Sequence, residues 1–328
     1  MMNVSEFYSF LKNDFPHTTT PKQDIALQLL AKFVLGTNKN ETFLLKGYAG
    51  TGKTTIVGSL VKNLSKVKKR SVLLAPTGRA AKVISNYSNK QAFTIHKKIY
   101  FPKSEKGSVS FNLQQNKHRD TIFIVDEASM IPDINQDSKL FENGSLLDDL
   151  MQYVYSGNNC RLLLIGDSAQ LPPVYLDISP ALDSHLLENQ YNREVIKLEL
   201  DEVVRQQKDS GILENATRIR ERLEDELYGA FKFSEVNFPD IIRPTDGQEI
   251  MDAISDSYSS LGNEDTVIIV RSNKRANLYN QSIRERILFQ ESELSAGDYL
   301  MVVKNNYFWV DNTSEAGFIA NGDIIEVL

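Results

Sequence analysis

One cysteine, Cys160, stands among 328 residues, so no internal disulfide can staple the chain. The four histidines, His17, His96, His118 and His185, lack the spacing of zinc ligands. Both observations point to a reducing, cytoplasmic setting. No apolar run approaches the roughly 18 residues that span a bilayer. The opening MMNVSEFYSFLKNDF has neither the basic start nor the apolar centre of an export signal. Membrane and secretory readings therefore drop out. Positive charge is not in excess either: 37 Lys and Arg against 43 Asp and Glu leave a net charge of −6. That balance excludes a uniformly basic nucleic-acid coat and leaves room for a local basic groove. No fixed-period repeat or low-complexity tract is visible.

What is present is ordinary globular composition, 41% hydrophobic and 24% charged, which argues against disorder and coiled coil. At roughly 100–200 residues per domain, the length suggests two domains. Short runs rich in Leu and β-branched residues recur: TFLL from Thr42, SVLLA from Ser71, TIFIV from Thr121, RLLLI from Arg161 and VIKLEL from Val195. Each reads as a buried parallel strand. Ile56, Val57, Leu60, Val61 and Leu64 put one apolar stripe on a helix starting near Lys53. This alternation predicts α/β architecture. Residues 97–120 break the pattern with polar residues, Pro and Gly, and read as an inserted hairpin. After residue 200 a charged helix is expected over Asp209 to Leu227, and VIIV from Val267 begins a second group of strands ending in DIIEVL. Residues 201–328 are too few for a complete second sheet with its helices, so that domain is expected to be cut short.

After the first strand comes Gly47-Tyr48-Ala49-Gly50-Thr51-Gly52-Lys53-Thr54, a full match to the phosphate-loop pattern G-x-x-x-x-G-K-[ST]. Glycines let backbone N–H groups turn inward around phosphate oxygens, and the helix behind directs its positive dipole end at them. Lys53 reaches the terminal phosphates, and Thr54 supplies a hydroxyl to Mg²⁺. Asp126-Glu127 follows the TIFIV strand, where one carboxylate can hold Mg²⁺ and the other can polarise an attacking water; the bland alternative is an acidic helix cap. Gly166-Asp167-Ser168-Ala169-Gln170-Leu171-Pro172-Pro173 sets Gln170 beyond the next strand, where it could sense the γ-phosphate. With Pro76 to Arg79, four polar clusters sit just after strands, the edge at which open α/β sheets bind ligands.

Taken together, GYAGTGKTT, APTGRAAK (Ala75 to Lys82), TIH (Thr94 to His96), DEAS (Asp126 to Ser129), GDSAQLPPV and VVRQ resemble the motifs of superfamily 1B DNA helicases of the RecD-like and Dda-like kind, in family order. The resemblance implies a P-loop NTPase fold with RecA-like domains: a first domain over 1–200 with a helical N-terminal segment and a pin-like hairpin at about 97–120, and part of a second over 201–328. It implies an ATP- and Mg²⁺-dependent motor moving 5′ to 3′ on single-stranded DNA or at DNA junctions. Service in repair or recombination, possible contacts with repair proteins and work as a monomer go with it. By position, the nucleotide would be held by Gln23, Gly47, Gly50, Thr51, Gly52, Lys53, Thr54 and Thr55, and the metal by Thr54 and Asp126. Lys53, Glu127, Gln170 and Arg205 would carry catalysis, Arg205 by reaching across an interdomain cleft. Thr77, Gly78, Arg79, Thr94, His96 and Asn273 would contact DNA. Phe101 or Phe111 could stack on a base, with hairpin packing as the competing reading. Arg271-Ser272-Asn273 and Asn280 to Arg284 resemble a second-domain segment. The run Lys62, Lys66, Lys68, Lys69 and Arg70 reads as a solvated helix end. Against the family pattern, the sequence shows no Q-G motif and no late T-R-A segment. An alternative is a nucleotide-controlled DNA-binding fragment that does not cycle, or another P-loop ATPase such as an RNA helicase.

Overall fold

The computed structural model describes residues 2–105, 108–132, 144–202, 210–235, 237–263, 265–303, 306, 309, 319 and 321–328. The chain divides into two compact units, Met1–Arg205 with Met301–Asp323, and Gln206–Leu300 with Ile324–Leu328.

Two helices open the first unit, α1 (Val4–Asn13) and α2 (Pro21–Leu35). Both start in a capping box, Asn3 with Glu6 and Thr20 with Gln23, which satisfies backbone donors the first turn leaves free. The sheet strands are β1 (Glu41–Gly47), β2 (Arg70–Ala75) and β3 (Ala92–Thr94), then, past the short pair β4 (Tyr100–Glu105) and β5 (Ser108–Leu113), β6 (Thr121–Val125), β7 (Arg161–Gly166) and β8 (Glu194–Leu200). Between them lie α3 (Lys53–Asn63), α4 (Gly78–Ser88), α5 (Ile95–Ile99), α6 (Leu146–Ser156) and α7 (Ser184–Asn189).

The six-stranded sheet runs β3-β2-β6-β7-β1-β8 with parallel pairing throughout. Strand alternation divides its apolar residues between two cores. Phe43, Leu45, Leu73, Ile122, Ile124, Leu163 and Ile165 pack with residues of α1, α2, α3 and α4. Leu44, Leu74, Phe123, Val125, Leu162 and Leu164 pack with residues of α5, α6 and α7. Each fully buried side chain of this kind contributes about 1.5–3 kcal/mol, so a sheet covered on both faces explains the uninterrupted apolar runs. VIKLEL is the exception: β8 is parallel but lies at the sheet's edge, and its residues other than Leu200 are half-exposed or exposed, not buried. Its one neighbour in the sheet is β1, and Leu200 alone of its residues is buried.

Arg161, the first residue of β7, is fully buried. Its guanidinium donates to the backbone oxygens of Phe33 and Gly36 at the end of α2 and lies 3.5 Å from Glu41. Those carbonyls are helix-end acceptors without partners in their own helix, which gives a buried cation its reason. Cys160 beside it is also buried, and burial raises its thiol pKa above the ordinary value.

Within 97–120, β4 and β5 pair antiparallel. Their base is held by Tyr100, whose hydroxyl donates to buried Asp149 of α6 at 2.5 Å, and by Gln114, whose amide donates to the Tyr100 carbonyl at 2.6 Å.

The second unit holds α8 (Gly211–Glu224), α9 (Gly247–Leu261) and α10 (Asn273–Arg286), and a two-stranded sheet pairs β9 (Tyr299–Met301) with β10 (Ile324–Glu326). The VIIV run is not a strand: residues 266–270 have no regular structure, and Val267 and Ile269 are 82% and 90% exposed. Apolar composition alone cannot hold a strand, because its N–H and C=O groups need a paired neighbour; among the described residues none pairs with it. No helix among the described residues is long and apolar enough to cross a membrane.

Candidate functional site

The loop between β1 and α3 turns through two left-handed glycines, Gly50 (φ 79) and Gly52 (φ 88). Such a turn directs successive N–H groups to one side, a concavity suited to anions at the start of a helix. The loop is tightly backed. A side chain at Gly47 would meet the Leu200 carbonyl and the Thr51 hydroxyl at 2.9 Å. Buried Thr51 donates its hydroxyl to the Tyr48 carbonyl at 2.7 Å. Gln23 is buried against the same loop: its amide nitrogen donates to the Thr51 carbonyl at 2.9 Å, and its amide oxygen accepts from the Thr20 N–H at 3.0 Å. The α2 cap is thereby tied to the loop. Thr54 and Thr55 open α3 and are half-exposed.

Lys53 bends back onto its own loop, donating to the carbonyls of Gly47 and Tyr48, the latter at 3.0 Å. Its amine lies 4.0 Å from Asp167. Burial lowers the lysine pKa, and the charges of Asp167, Asp126 and Glu127 oppose that shift. Three carboxylates thus act on one amine, an arrangement with surplus negative charge.

Asp126 follows β6, its N–H donating to the Leu74 carbonyl at 3.0 Å, and its carboxylate accepts from the Glu127 N–H at 2.9 Å. Glu127 itself takes a left-handed backbone conformation (φ 53), uncommon for a residue with a side chain. Burial raises the pKa of both acids; for Glu127 the neighbouring Asp126 charge adds to the rise, while Lys53 and a hydrogen bond with Gln170 oppose it. Gln170 also accepts from the Ser129 hydroxyl at 3.3 Å, so one amide bridges the loops after β6 and β7. Those loops are fastened a second time by buried Ser179, whose hydroxyl lies 2.8 Å from the carbonyls of Ala128 and Ile131.

Lys53, Asp126, Glu127, Asp167 and Gln170 therefore gather at the carboxyl ends of β1, β6 and β7. Asp167 and Ser129 belong to the GDSAQLPPV and DEAS motifs, which by themselves give neither a role. The signal for Asp167 was the one used for Asp126, a carboxylate directly after a buried strand. Ser179 carries no such signal, since only the fold brings it to the 128–131 turn.

On the neighbouring strands, Thr77 caps α4 by accepting from the Ala80 N–H at 3.3 Å, with Gly78 buried and Arg79 exposed behind it. Thr94 is buried and caps α5 by accepting from the Lys97 N–H at 3.2 Å. His96 packs its ring against Tyr100 at 5.8 Å between centroids, and burial lowers its pKa to about 4, so it is neutral near pH 7. Phe111 is buried and Phe101 is 43% exposed, so of the two only Phe101 offers a ring face. In the second unit Asn273 is exposed at the start of α10, and Arg284 is committed to Asp298 at 2.8 Å and 3.0 Å. Arg205 lies outside the described residues.

A phosphate loop, a carboxylate pair one strand removed from it and a parallel sheet covered on both faces define a P-loop NTPase of the α/β class. Residues 32–176 match the AAA domain family. The chain is 25% identical over 348 residues to an uncharacterised protein of Acanthamoeba polyphaga mimivirus, covering 94% of this chain and 64% of that protein. It is 25% identical over 273 residues to the ATP-dependent DNA helicase dda of Enterobacteria phage T4, covering 80% of this chain and 56% of the helicase. Over 131 residues it is 31% identical to the ATP-dependent RecD2 DNA helicase of Deinococcus radiodurans, covering 40% and 16%. The chain thus spans less than two thirds of the length of each. The resemblance to superfamily 1B DNA helicases read from the motifs is borne out.

Proposed function

We propose that this chain is the motor part of an ATP-dependent DNA helicase that moves 5′ to 3′ on single-stranded DNA and acts in repair or recombination. The reading is carried by the gathering of Lys53, Asp126, Glu127, Asp167 and Gln170 at one sheet edge, with the Thr77–Arg79 turn at the end of neighbouring β2. In this reading the loop N–H groups and Lys53 hold the phosphates of ATP. Glu127, its carboxylate made more basic by burial, takes a proton from the attacking water. Thr54 and Asp126 fit Mg²⁺, because both offer hard oxygen and a buried carboxylate is stabilised by a cation; the metal would neutralise charge on the phosphates. Gln170 is the element that feels the γ-phosphate and passes its loss to the loop holding Ser129. Arg205 would complete the site from outside the described residues. Thr77, Gly78, Arg79, Thr94, His96 and Asn273 would follow the DNA backbone, with Phe101 at the hairpin. Junction substrates, a monomeric state, repair-protein contacts and a cytoplasmic setting belong to the same proposal.

The deciding measurement is steady-state ATP hydrolysis with and without single-stranded DNA, with RNA as comparison and Lys53→Ala as the inactive control. Strong stimulation by DNA supports the motor. Binding of nucleotide and DNA without stimulated turnover would replace it by a DNA-binding module that does not cycle, and stronger stimulation by RNA would reassign the substrate.

A further inference from the structure

The run from Lys62 to Arg70 is not one surface. Lys62 and Lys66 pair with Asp14 at 2.8 Å and 3.7 Å, and Lys69 pairs with Asp120 at 3.2 Å. Topology instead collects a different set of cations. Arg70 starts β2, Lys90 precedes β3, and Lys117 and Arg119 precede β6, while α5 contributes Lys97 and Lys98. β3, β2 and β6 are neighbours in the sheet; Arg70 pairs with Thr121, so β2 and β6 start level, and Ala92 pairs with Leu73, so β3 starts three residues further along. Contacts join the members. The Lys90 amine lies 2.7 Å from the Ser71 hydroxyl, beside Arg70. Burial first, then the like charges of Lys98 and Arg70, hold His118 below its usual range, which places both cations near that imidazole.

Asp120 is the one carboxylate in the segments 68–70, 89–98 and 117–120; it is bonded to Lys69 and to Asn159 at 2.5 Å and also feels the charge of Arg70, so one acid faces the whole set. Among the described residues no ion pair engages Arg70, Lys90, Lys98, Lys117 or Arg119. Arg70, Lys90, Lys117 and Arg119 are exposed. A face of this kind on a chain of net charge −6 is a local reversal of sign.

Arg70, Lys90, Lys117 and Arg119 lie at the amino ends of their strands, opposite the carboxyl ends where the nucleotide residues gather, and Lys98 joins them from α5, which follows β3. This face is also the base of the β4–β5 hairpin: α5 leads directly into β4, and β5 leads to Lys117. Phe93, among the cations, lies 5.2 Å under the Lys98 amine, so its ring is not an open stacking platform. Duplex DNA carries one phosphate charge per about 1.7 Å of its axis, twice the density of one strand, so a compact set of unpaired cations complements a duplex backbone best.

We propose that Arg70, Lys90, Lys98, Lys117 and Arg119 form a contact surface for the phosphate backbone of double-stranded DNA at the foot of the hairpin. The surface rests on the helicase reading for DNA as the ligand, and it places intact duplex beside the hairpin. Binding is independent of sequence and falls steeply with salt.

The test is fluorescence anisotropy of the full chain with a labelled 20-base-pair blunt DNA duplex, without nucleotide, over a salt series. Arg70→Ala, Lys117→Ala and Arg119→Ala combined should weaken duplex binding at least about tenfold and reduce the log–log salt slope by about 2–3, at about 0.9 per lost phosphate contact. Affinity for a 20-nucleotide single strand and stimulated ATP turnover should stay within about twofold, and Arg70→Lys with Arg119→Lys should keep duplex binding. Unchanged duplex affinity in the triple variant, equal loss for the single strand, or tighter binding of duplex RNA by the native chain would overturn the proposal. Failure of single-stranded DNA to stimulate ATP hydrolysis while the duplex result holds would strike the helicase reading instead.

Discussion

The amine of Lys53 lies 4.0 Å from the buried carboxylate of Asp167, inside a ring of negative charge completed by Asp126 and Glu127. Before any phosphate is bound, the lysine is already balanced by acids, so an incoming triphosphate must displace that balance or bring a cation with it. Asp167→Asn removes one repelling charge. It should tighten ATP binding in EDTA by about 3–10-fold, the scale of one screened charge interaction, and change the Kd in Mg²⁺ much less. Equal or weaker binding in EDTA would show that Asp167 does not oppose the phosphates.

Glu127→Gln keeps the shape of the side chain and removes its basicity. ATP affinity should be retained, while turnover falls by about 10²–10⁴-fold, the usual loss when a positioned general base is removed. Single-turnover hydrolysis with radiolabelled ATP separates the two. If turnover persisted, the base would have to be another group.

The His96 pKa, lowered to about 4 by burial, makes a pH prediction. In the unfolded chain the ring binds a proton near pH 6.5; in the folded chain it does so only near pH 4. The stability this neutral ring contributes is present above pH 6.5 and is lost as pH falls towards 4. Thermal melts of the native chain should drop more steeply over that range than melts of His96→Gln. Parallel profiles would mean that His96 protonates freely in the fold.

Arg161→Ala would leave the carbonyls of Phe33 and Gly36 without their buried donor and open a hole at the start of β7. A loss of about 3–5 kcal/mol is expected, read as a lower midpoint in urea at unchanged slope. The nucleotide site stands at the other end of β7, so ATP affinity of the folded fraction should be close to native.

The central sheet was legible because its strands are covered on both faces and so spell continuous apolar runs: Phe43 to Leu45, Val72 to Ala75, Ile122 to Val125, Leu162 to Ile165. The strand Ala92–Thr94 escaped, since three residues with a polar end carry no pattern of their own. VIKLEL and VIIV show the opposite failure. The same composition forms a half-exposed edge strand where β1 offers a partner, and no strand where the described residues offer none. In the candidate site, the left-handed turn through Gly50 and Gly52 and the place of Asp126-Glu127 just after a buried strand were readable because local chain chemistry dictates them. Ser179 was not, because its role is to touch carbonyls 51 and 48 residues away in sequence. The hairpin was readable as a polar break, but its anchorage through Tyr100 and Asp149 depends on α6, which the sequence places 49 residues further on.

Cys160 gives the molecule a practical property. Its thiol is buried at the start of β7, and burial holds its pKa above the ordinary thiol value, so little nucleophilic thiolate faces solvent near neutral pH. A cysteine introduced at the exposed hairpin position Phe101 would react with maleimide dyes far faster than the native one. Single-site labelling, and with it optical tracking of the hairpin during ATP turnover, then requires no cysteine-free background.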